Sequence, residues 1–344
     1  MDETVRDVGA GFATPASNPA ASNVGVGAPV AWHGSNGPDQ GTGSNGVLGD
    51  HAGNGASAAG DGAGGATVDG SGGGPSSLAV GIDVGGTGVK AAVVDLATGT
   101  LVSPRIREKT PVPSSPEAIA DTIAHIIERI EASGRDTQGL PSGAGLPGVV
   151  KEGWLRTAAN IDKSWLATRA EDVLERHLSR HVLIINDADA AGLAEMRYGA
   201  GVGRKGVVLM LTIGTGIGSA LFVDGRLVPN TELGHLEFHR RDAETLVSGA
   251  ARERRKLGWK AWAREFDKYL DRVYRYLSPD LIILGGGVSK ETKQYMQYLT
   301  PRGPLEVARL LNAAGIVGAA LAAAEAQGYR PPESAGVREI VAAG

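Results

Sequence analysis

Asp187 stands where an unbroken apolar run, HVLII at 181–185, meets a new amphipathic stretch, NDADAAGLAEMRYGAG. Its carboxylate is therefore expected at the carboxyl end of a buried strand and the amino end of a helix. An aspartate there either caps the helix or, beside a bound substrate, takes a proton from an attacking hydroxyl, a step worth roughly 10² to 10⁴ in rate. Asp189 is expected to be the purer cap. Farther on, TELGHLEF sets Glu232 and His235 three residues apart around Gly234. Such side chains are most often surface or satisfied core groups. Beside a glycine they also suit the reading of sugar hydroxyls, each of which needs both a donor and an acceptor.

A phosphoryl group would be handled by three glycine turns, each at the end of an apolar strand. In GIDVGGTGVK, residues 81–90, Gly85 and Gly86 permit close backbone approach and Thr87 offers a hydroxyl and an amide, while Asp83 can hold a hydrated cation and Lys90 closes the set. LTIGTGIG repeats the device with Thr212, Gly214, Thr215 and Gly216. LGGGVS has only the small Gly285, Gly286 and Gly287, against whose backbone a flat ring or a chain could lie. One such turn is more often a plain hairpin; three in this order are far more specific.

The elements that must position these groups form a pattern that occurs twice. Residues 78–84, 88–94 and 100–106 read as an antiparallel meander, followed by a helix over 116–132 with isoleucines at helical spacing. A glycine-rich strand, a turn at 151–153, a short strand leading to Asn160, a helix over 170–180 and the strand at 181–185 come next. GVVLMLTIGTGIGSALFVDGRLVPN is again strand, glycine turn, strand, with Asp224–Gly225 turning into a third strand. A long helix is expected over 243–277, broken near Gly258, with Trp259, Trp262, Phe266, Tyr269, Leu270, Val273 and Leu277 as its core face. A buried strand and an alanine-rich helix over 305–327 close the pattern. This is an α/β chain with two related lobes, 78–190 and 191–304, and ligands are expected in the cleft at the strand ends.

On the long helix, Arg252, Arg255, Lys256, Lys260 and Arg264 lie among few acids, and four of them recur every four residues. They would share one drifting row on the helix surface. Such a row is either a solvated face or a track for a long polyanion.

The rest of the composition narrows the class. Residues 1–77 hold seven acidic residues and Arg6 as their single cation, among runs such as GDGAGGATVDGSGGGPSS. They offer too little apolar surface to offset chain entropy, so disorder is expected there, and flexibility at 328–344. Subtracting the tail's −6 from the chain's −4 leaves +2, which gives no general nucleic-acid signature. No apolar run is long enough to span a membrane and no secretory leader is evident, so a soluble cytoplasmic protein is expected. The absence of cysteine excludes disulfides, thiolate nucleophiles and thiolate metal sites.

Taken together, GIDVGGTGVK, GLPGVV, RTAANIDKSW, NDADAAGLAE, LTIGTGIGSALFVDGRLVPNTELGHLE, ERRKLGWKAWA, SPDLIILGGGVS and LLNAAGIVGAALAA resemble the sugar kinases of the ROK family, and within it the actinobacterial polyphosphate glucokinases. The likeness runs from about Leu78 to Ala324. It implies an actin-like fold of two ribonuclease-H-like lobes, with the C-terminal helix returning to the first, and transfer of a phosphoryl group to the 6-hydroxyl of glucose with Mg²⁺ by a homodimer. On this resemblance Asp187 matches the catalytic aspartate and Asn186, Glu232 and His235 match sugar ligands. Glu244 matches a further sugar-binding glutamate and Asn160 an upstream sugar position. The two glycine-threonine turns match the phosphate loops and Gly285–Gly287 the nucleotide-side loop; Asp83 is expected in the outer shell of Mg²⁺. Many members bind a structural zinc through cysteines between that histidine and the later glutamate. FHRRDAETL has none, so no zinc is expected and another contact must orient His235. The glycine turns serve ATP in the wider family, while the cationic stretch points to inorganic polyphosphate as donor. The alternatives are a strictly ATP-dependent glucokinase, a sugar-sensing regulator, which would need a DNA-binding helix pair that 1–77 does not resemble, and an actin-like ATPase, which would not need TELGHLE.

Overall fold

The computed structural model describes residues 77–158 and 160–330. Of the disorder expected for 1–77 and the flexibility expected for 328–344, all but Ser77 and 328–330 lies outside those residues, and the Ser77 carbonyl accepts the Leu96 N–H at 2.7 Å. Tyr329, expected in the flexible end, is instead buried against the core.

In the first half, β1 (Leu78–Gly85) and β2 (Gly88–Asp95) pair antiparallel from Leu78↔Asp95 to Gly85↔Gly88, leaving Gly86 and Thr87 as a two-residue turn. The expected third strand is two, β3 (Thr100–Leu101) and β4 (Ile106–Glu108), both on β2. The break is chemical. The Ser103 hydroxyl oxygen accepts the Val93 N–H at 2.9 Å, and Pro104 has no N–H to give the ladder. Helix α1 (Pro116–Ala132) starts where Ser115 accepts the Ala118 N–H, has proline at its first position and buries its isoleucine stripe, as expected. Strand β5 (Ser142–Leu146), the small hairpin of β6 (Val150–Lys151) and β7 (Trp154–Leu155), helix α2 (Ala170–Leu178), strand β8 (Val182–Asn186) and helix α3 (Asp187–Tyr198) follow. The sheet order is β3-β2-β1-β5-β8, with β5 parallel to both β1 and β8.

The second half repeats this order as β11-β10-β9-β14-β15. Strands β9 (Val207–Ile213), β10 (Ile217–Val223) and β11 (Arg226–Val228) form the meander, and Asp224 and Gly225 turn at φ +50° and +80°. A second small hairpin joins β12 (Glu237–Phe238) to β13 (Arg241–Asp242). The helix expected over 243–277 is broken at Gly258, as expected, and also at Ser248, giving α4 (Glu244–Val247), α5 (Gly249–Arg254) and α6 (Trp259–Leu277). Ser248 is extended and its hydroxyl accepts the Ala251 N–H at 3.1 Å, ending one helix to cap the next, and Lys256 is left-handed at φ +52° ahead of Gly258. Strand β14 (Leu281–Gly285), the one-turn α7 (Thr292–Tyr295), strand β15 (Leu305–Val307) and helix α8 (Ala314–Ala326) complete the chain. The helix expected over 305–327 thus begins nine residues late, because Leu305–Val307 pairs parallel to β14.

Helix α8 returns to the first sheet, and glycine makes that packing possible. A Cβ on Gly81 or Gly143 would come within 1.9 or 2.0 Å of a carbonyl oxygen of α8, and one on Gly318 within 1.6 Å of the Ala190 carbonyl in α3. Two sheets of the same order, each a meander continued by parallel strands, are the two related lobes expected from the sequence pattern and make up the actin-like fold that the family resemblance implied. Among the described residues no helix is long and apolar enough to cross a membrane.

Candidate active site

Asp187 is the first residue of α3, but neither it nor Asp189 is the cap. Asn186 is: its side-chain oxygen accepts the N–H groups of Ala188 and Asp189, both at 2.9 Å, and its Nδ2 donates to the Gly148 carbonyl at 3.0 Å. An amide can do both, which a carboxylate cannot. Relieved of capping, the Asp187 carboxylate faces the cleft, with the adjacent Ala188 N–H at 2.8 Å its one hydrogen bond among the described residues. Burial, followed by the negative charges of Asp83, Glu232 and Asp189, pushes its pKa up to about 7.

Two cavities meet at this carboxylate. One, of about 230 Å³, is lined by Asn160, Asn186, Asp187, Glu232, His235 and Glu244 together with Gly85, Gly86, Thr87, Thr212, Gly214, Thr215 and Gly216. All the residues expected to read a sugar thus come together with both glycine-threonine turns. The other, of about 210 Å³, is lined by Asp83, Lys90, Asp187, Thr212 and Gly285–Gly287. Asp83 is ion-paired to Lys90 at 2.6 Å. Close backbone contacts bring these parts in. A Cβ on Gly86 would lie 2.9 Å from that of Asn160, itself left-handed at φ +86°, and Gly286 sits at φ +77° against the Ile213 backbone. Glu244 accepts the Ile217 N–H at 3.2 Å, tying α4 to the second glycine turn. Glu232 has its pKa raised by burial and by Glu244, against the opposing pull of His235.

A third cavity, of about 370 Å³, extends from Gly214, Thr215 and Gly287 to Arg252 and Trp259. It is where the cationic row has to be revised. The row crosses the α5–α6 break, so it is not one helix face. Arg252 lies over the Trp259 ring at 3.9 Å and donates to the Leu257 carbonyl, and Arg255 donates to the Leu246 carbonyl at 2.8 Å. Lys260 stands 5.7 Å from the Tyr298 ring, and Lys256, Lys260 and Arg264 are exposed. Of the five, Arg252 alone lines this cavity.

Sequence reasoning misassigned one acidic residue, Asp189, as a cap, and missed another. Asp189 is buried, and its Oδ2 accepts the Asn230 N–H at 2.7 Å, while the Asn230 side chain brackets Val150 by accepting its N–H and donating to its carbonyl. This clasp joins the two halves behind the site. The other is Asp242, 2.9 Å from His235 Nδ1. Its place two residues before Glu244 was the available signal. Burial raises the Asp189 pKa to about 7, against the Asn230 hydrogen bond. Protonation therefore favours the folded state, and the stability it contributes is lost as pH rises from the unfolded value near 4 through 7. Asp189→Asn keeps an acceptor for Asn230 and removes the charge. Thermal melts should show the variant gaining on the native protein between pH 5 and 8; an unchanged difference would mean the carboxylate is ionised throughout.

The ROK family profile matches residues 79–247. A polyphosphate glucokinase of Mycobacterium tuberculosis is 46% identical over 243 residues, covering 70% of this chain and 89% of that one. Among solved structures, the inorganic polyphosphate/ATP-glucomannokinase of Arthrobacter sp. strain KM superposes with a TM-score of 0.69 at 48% identity, covering 73% of this chain and all of that one. A ROK glucokinase of Streptomyces griseus, in complex with glucose and AMPPNP, gives 0.62 at 26% identity over 72% of this chain and 99% of that one. With this identity, this coverage and the doubled sheet order, the chain belongs to the ROK family of actin-like sugar kinases.

Proposed function

We propose that the protein is a polyphosphate glucokinase, transferring a phosphoryl group from inorganic polyphosphate, and also from ATP, to the 6-hydroxyl of glucose. The observation that carries this reading is the convergence of Asn160, Asn186, Glu232, His235 and Glu244 on one cavity, with Asp187 at its junction with the phosphate-side cavity. Asp187 takes the hydroxyl proton as the oxygen bonds to the terminal phosphorus and the bond from that phosphorus to the rest of the chain breaks. Amides and hydroxyls around Thr87 and Thr215, with Lys90, face the charge that spreads over the transferring group. Closure of the two halves on glucose excludes water.

Mg²⁺ fits the acidic residue present. Asp83 is one carboxylate at the phosphate-side cavity, and Mg²⁺ commonly keeps several waters and is bound by one or two carboxylates plus donor phosphates. Bound there it would neutralise donor charge. Among the described residues no three or more His, Cys, Asp or Glu side chains are grouped to hold a metal on their own. On the family resemblance we also propose a cytoplasmic homodimer, which sedimentation would read directly.

The direct test is glucose 6-phosphate formation with Mg²⁺ and either long-chain polyphosphate or ATP, with Asp187→Ala as control. Turnover with neither donor would sink the proposal; turnover with ATP alone would leave a glucokinase whose cations are a solvated face. If Lys256 and Arg264 lie along a polyphosphate chain, its use should weaken steeply with salt. Replacing both by alanine should then reduce the slope of log kcat/KM against log salt by about 0.7–0.9 per residue. ATP-supported turnover should stay within about twofold, and an unchanged slope would remove them from the track.

A further inference from the structure

Between the cleft histidine and Glu244 the chain makes a hairpin with only two residues per strand, pairing Glu237 with Asp242 and Phe238 with Arg241. Its turn holds His239 and Arg240 at φ +52° and +61°. A two-residue turn of this kind needs positive φ at both positions, which Asn-Gly supplies without strain and these side chains do not. The hairpin is nevertheless well braced. Phe238 is buried and meets Tyr269 edge-on at 6.3 Å, with Arg272 5.8 Å from its ring centre. Arg272 also donates to the Glu237 carbonyl, and the Ala243 N–H returns to the Leu236 carbonyl at 3.0 Å. What this frame holds against the site is one carboxylate oxygen, Asp242 Oδ2, 2.9 Å from His235 Nδ1.

An ionised carboxylate can only accept, so Nδ1 carries a proton and Nε2 is left 3.8 Å from Glu232 Oε2. That gap is too long for a direct hydrogen bond and leaves both atoms available to a hydroxyl. We propose that Asp242 is a positioning residue for sugar recognition, which through Nδ1 fixes the plane and protonation of the His235 ring so that Nε2 and Glu232 read the same sugar hydroxyl. The inference rests on the reading of His235 as a sugar ligand. The ionisable groups that act on this ring are Asp242 from β13, Glu232 from the preceding segment and Glu244 from α4. They favour its charged form, and the pKa stands above the ordinary histidine value, chiefly through the Asp242 hydrogen bond. In that form Nε2–H donates to the hydroxyl oxygen, and the hydroxyl O–H in turn donates a hydrogen bond to Glu232.

The test compares Asp242→Ala, Asp242→Asn and His235→Ala in the full chain, with His239→Asn/Arg240→Gly as a control that relaxes the turn and leaves the pair intact. Asp242→Ala should raise KM for glucose about tenfold, the effect of losing a hydrogen bond to a charged group. Its kcat at saturating glucose should stay within about threefold and KM for ATP should not move. Asp242→Asn, whose amide oxygen still accepts from Nδ1 but carries no charge, should recover most of that loss. In it the His235 ring should titrate at lower pH by NMR. The control should match the native KM. The proposal falls if Asp242→Ala leaves KM for glucose unchanged while His235→Ala raises it, since His235 would then bind sugar unaided. It also falls if Asn is no better than Ala and the His235 titration does not move. An unchanged KM in His235→Ala would instead remove the sugar-ligand reading beneath it.

Discussion

Asp187→Asn is expected to lower kcat about 10³-fold, within the range that a positioned general base contributes, while KM for glucose stays within about threefold. The substitution is clean. Asn186, not Asp187, caps α3, and an asparagine oxygen can still accept the Ala188 N–H, so the helix start is kept. What disappears is the one group at the junction of the two cavities able to take a proton from the sugar. The pH profile carries the same assignment. Burial beside Asp83 and Glu232 raises the pKa of Asp187 to about 7, so the carboxyl is protonated below that pH and cannot act as a base. Native kcat should fall about tenfold per pH unit below 7 and level off above it, and the residual rate of the Asn variant should lack this limb. Asp189 has the same raised pKa, but Asp189→Asn should keep the limb, because its carboxylate faces Asn230 and not the sugar cavity. Rapid-quench measurement of glucose 6-phosphate formation from pH 5.5 to 8.5 checks both; near-native turnover in Asp187→Asn would remove it as the base.

The largest effect on stability is expected at Gly318. Its Cβ would fall 1.6 Å from the Ala190 carbonyl oxygen, and that oxygen belongs to the α3 backbone, which cannot swing aside as a flexible side chain can. Gly318→Ala must push α8 and α3 apart, so the cost should reach about 3 kcal/mol, the upper end of ordinary overpacking. Over a folded part of this size that is a fall in melting temperature of roughly 6–12 °C. Activity should suffer at temperatures where the variant is still folded. Asp187 is at the amino end of the helix that moves, and a displacement of about 1 Å can cost 10²-fold in rate. Gly258, with φ near −66° and nothing within 4 Å of its added Cβ, is the control, and Ala there should cost about 1 kcal/mol or less. A melt of Gly318→Ala within 2 °C of native would mean that the two helices separate freely.

How much of this was legible follows from whether the cause is local. The turns at Gly85–Thr87, Asp224–Gly225 and Gly285–Gly287, the α1 start at Pro116 and the α6 core stripe each depend on neighbours a few residues away, and they stand where the sequence places them. Glu232 and His235 were legible as a pair because both sit within one turn of chain, and both line the cavity beside Asp187. The helix break at Ser248 was missed although its cause is local, because capping competes with an apolar periodicity that continues across it.

By itself the sequence determined the α/β pattern and the repeated meander, since periodicity, turn chemistry and motif order are properties of short stretches, while Asn160, Asn186 and Glu244 were assigned to the cleft through the family resemblance. Only the tertiary structure decided that Leu305–Val307 is a strand, that Asn186 rather than an aspartate caps α3, that Asp189 clasps Asn230 and that Asp242 holds His235. It also broke the cationic row, turning Arg252 onto Trp259 and leaving Lys256 and Arg264 exposed on either side of the helix start. Each of these depends on which backbone or side-chain groups remain unpaired once the sheets and helices have packed, and that is set by contacts between elements distant in sequence or by competition among neighbouring caps.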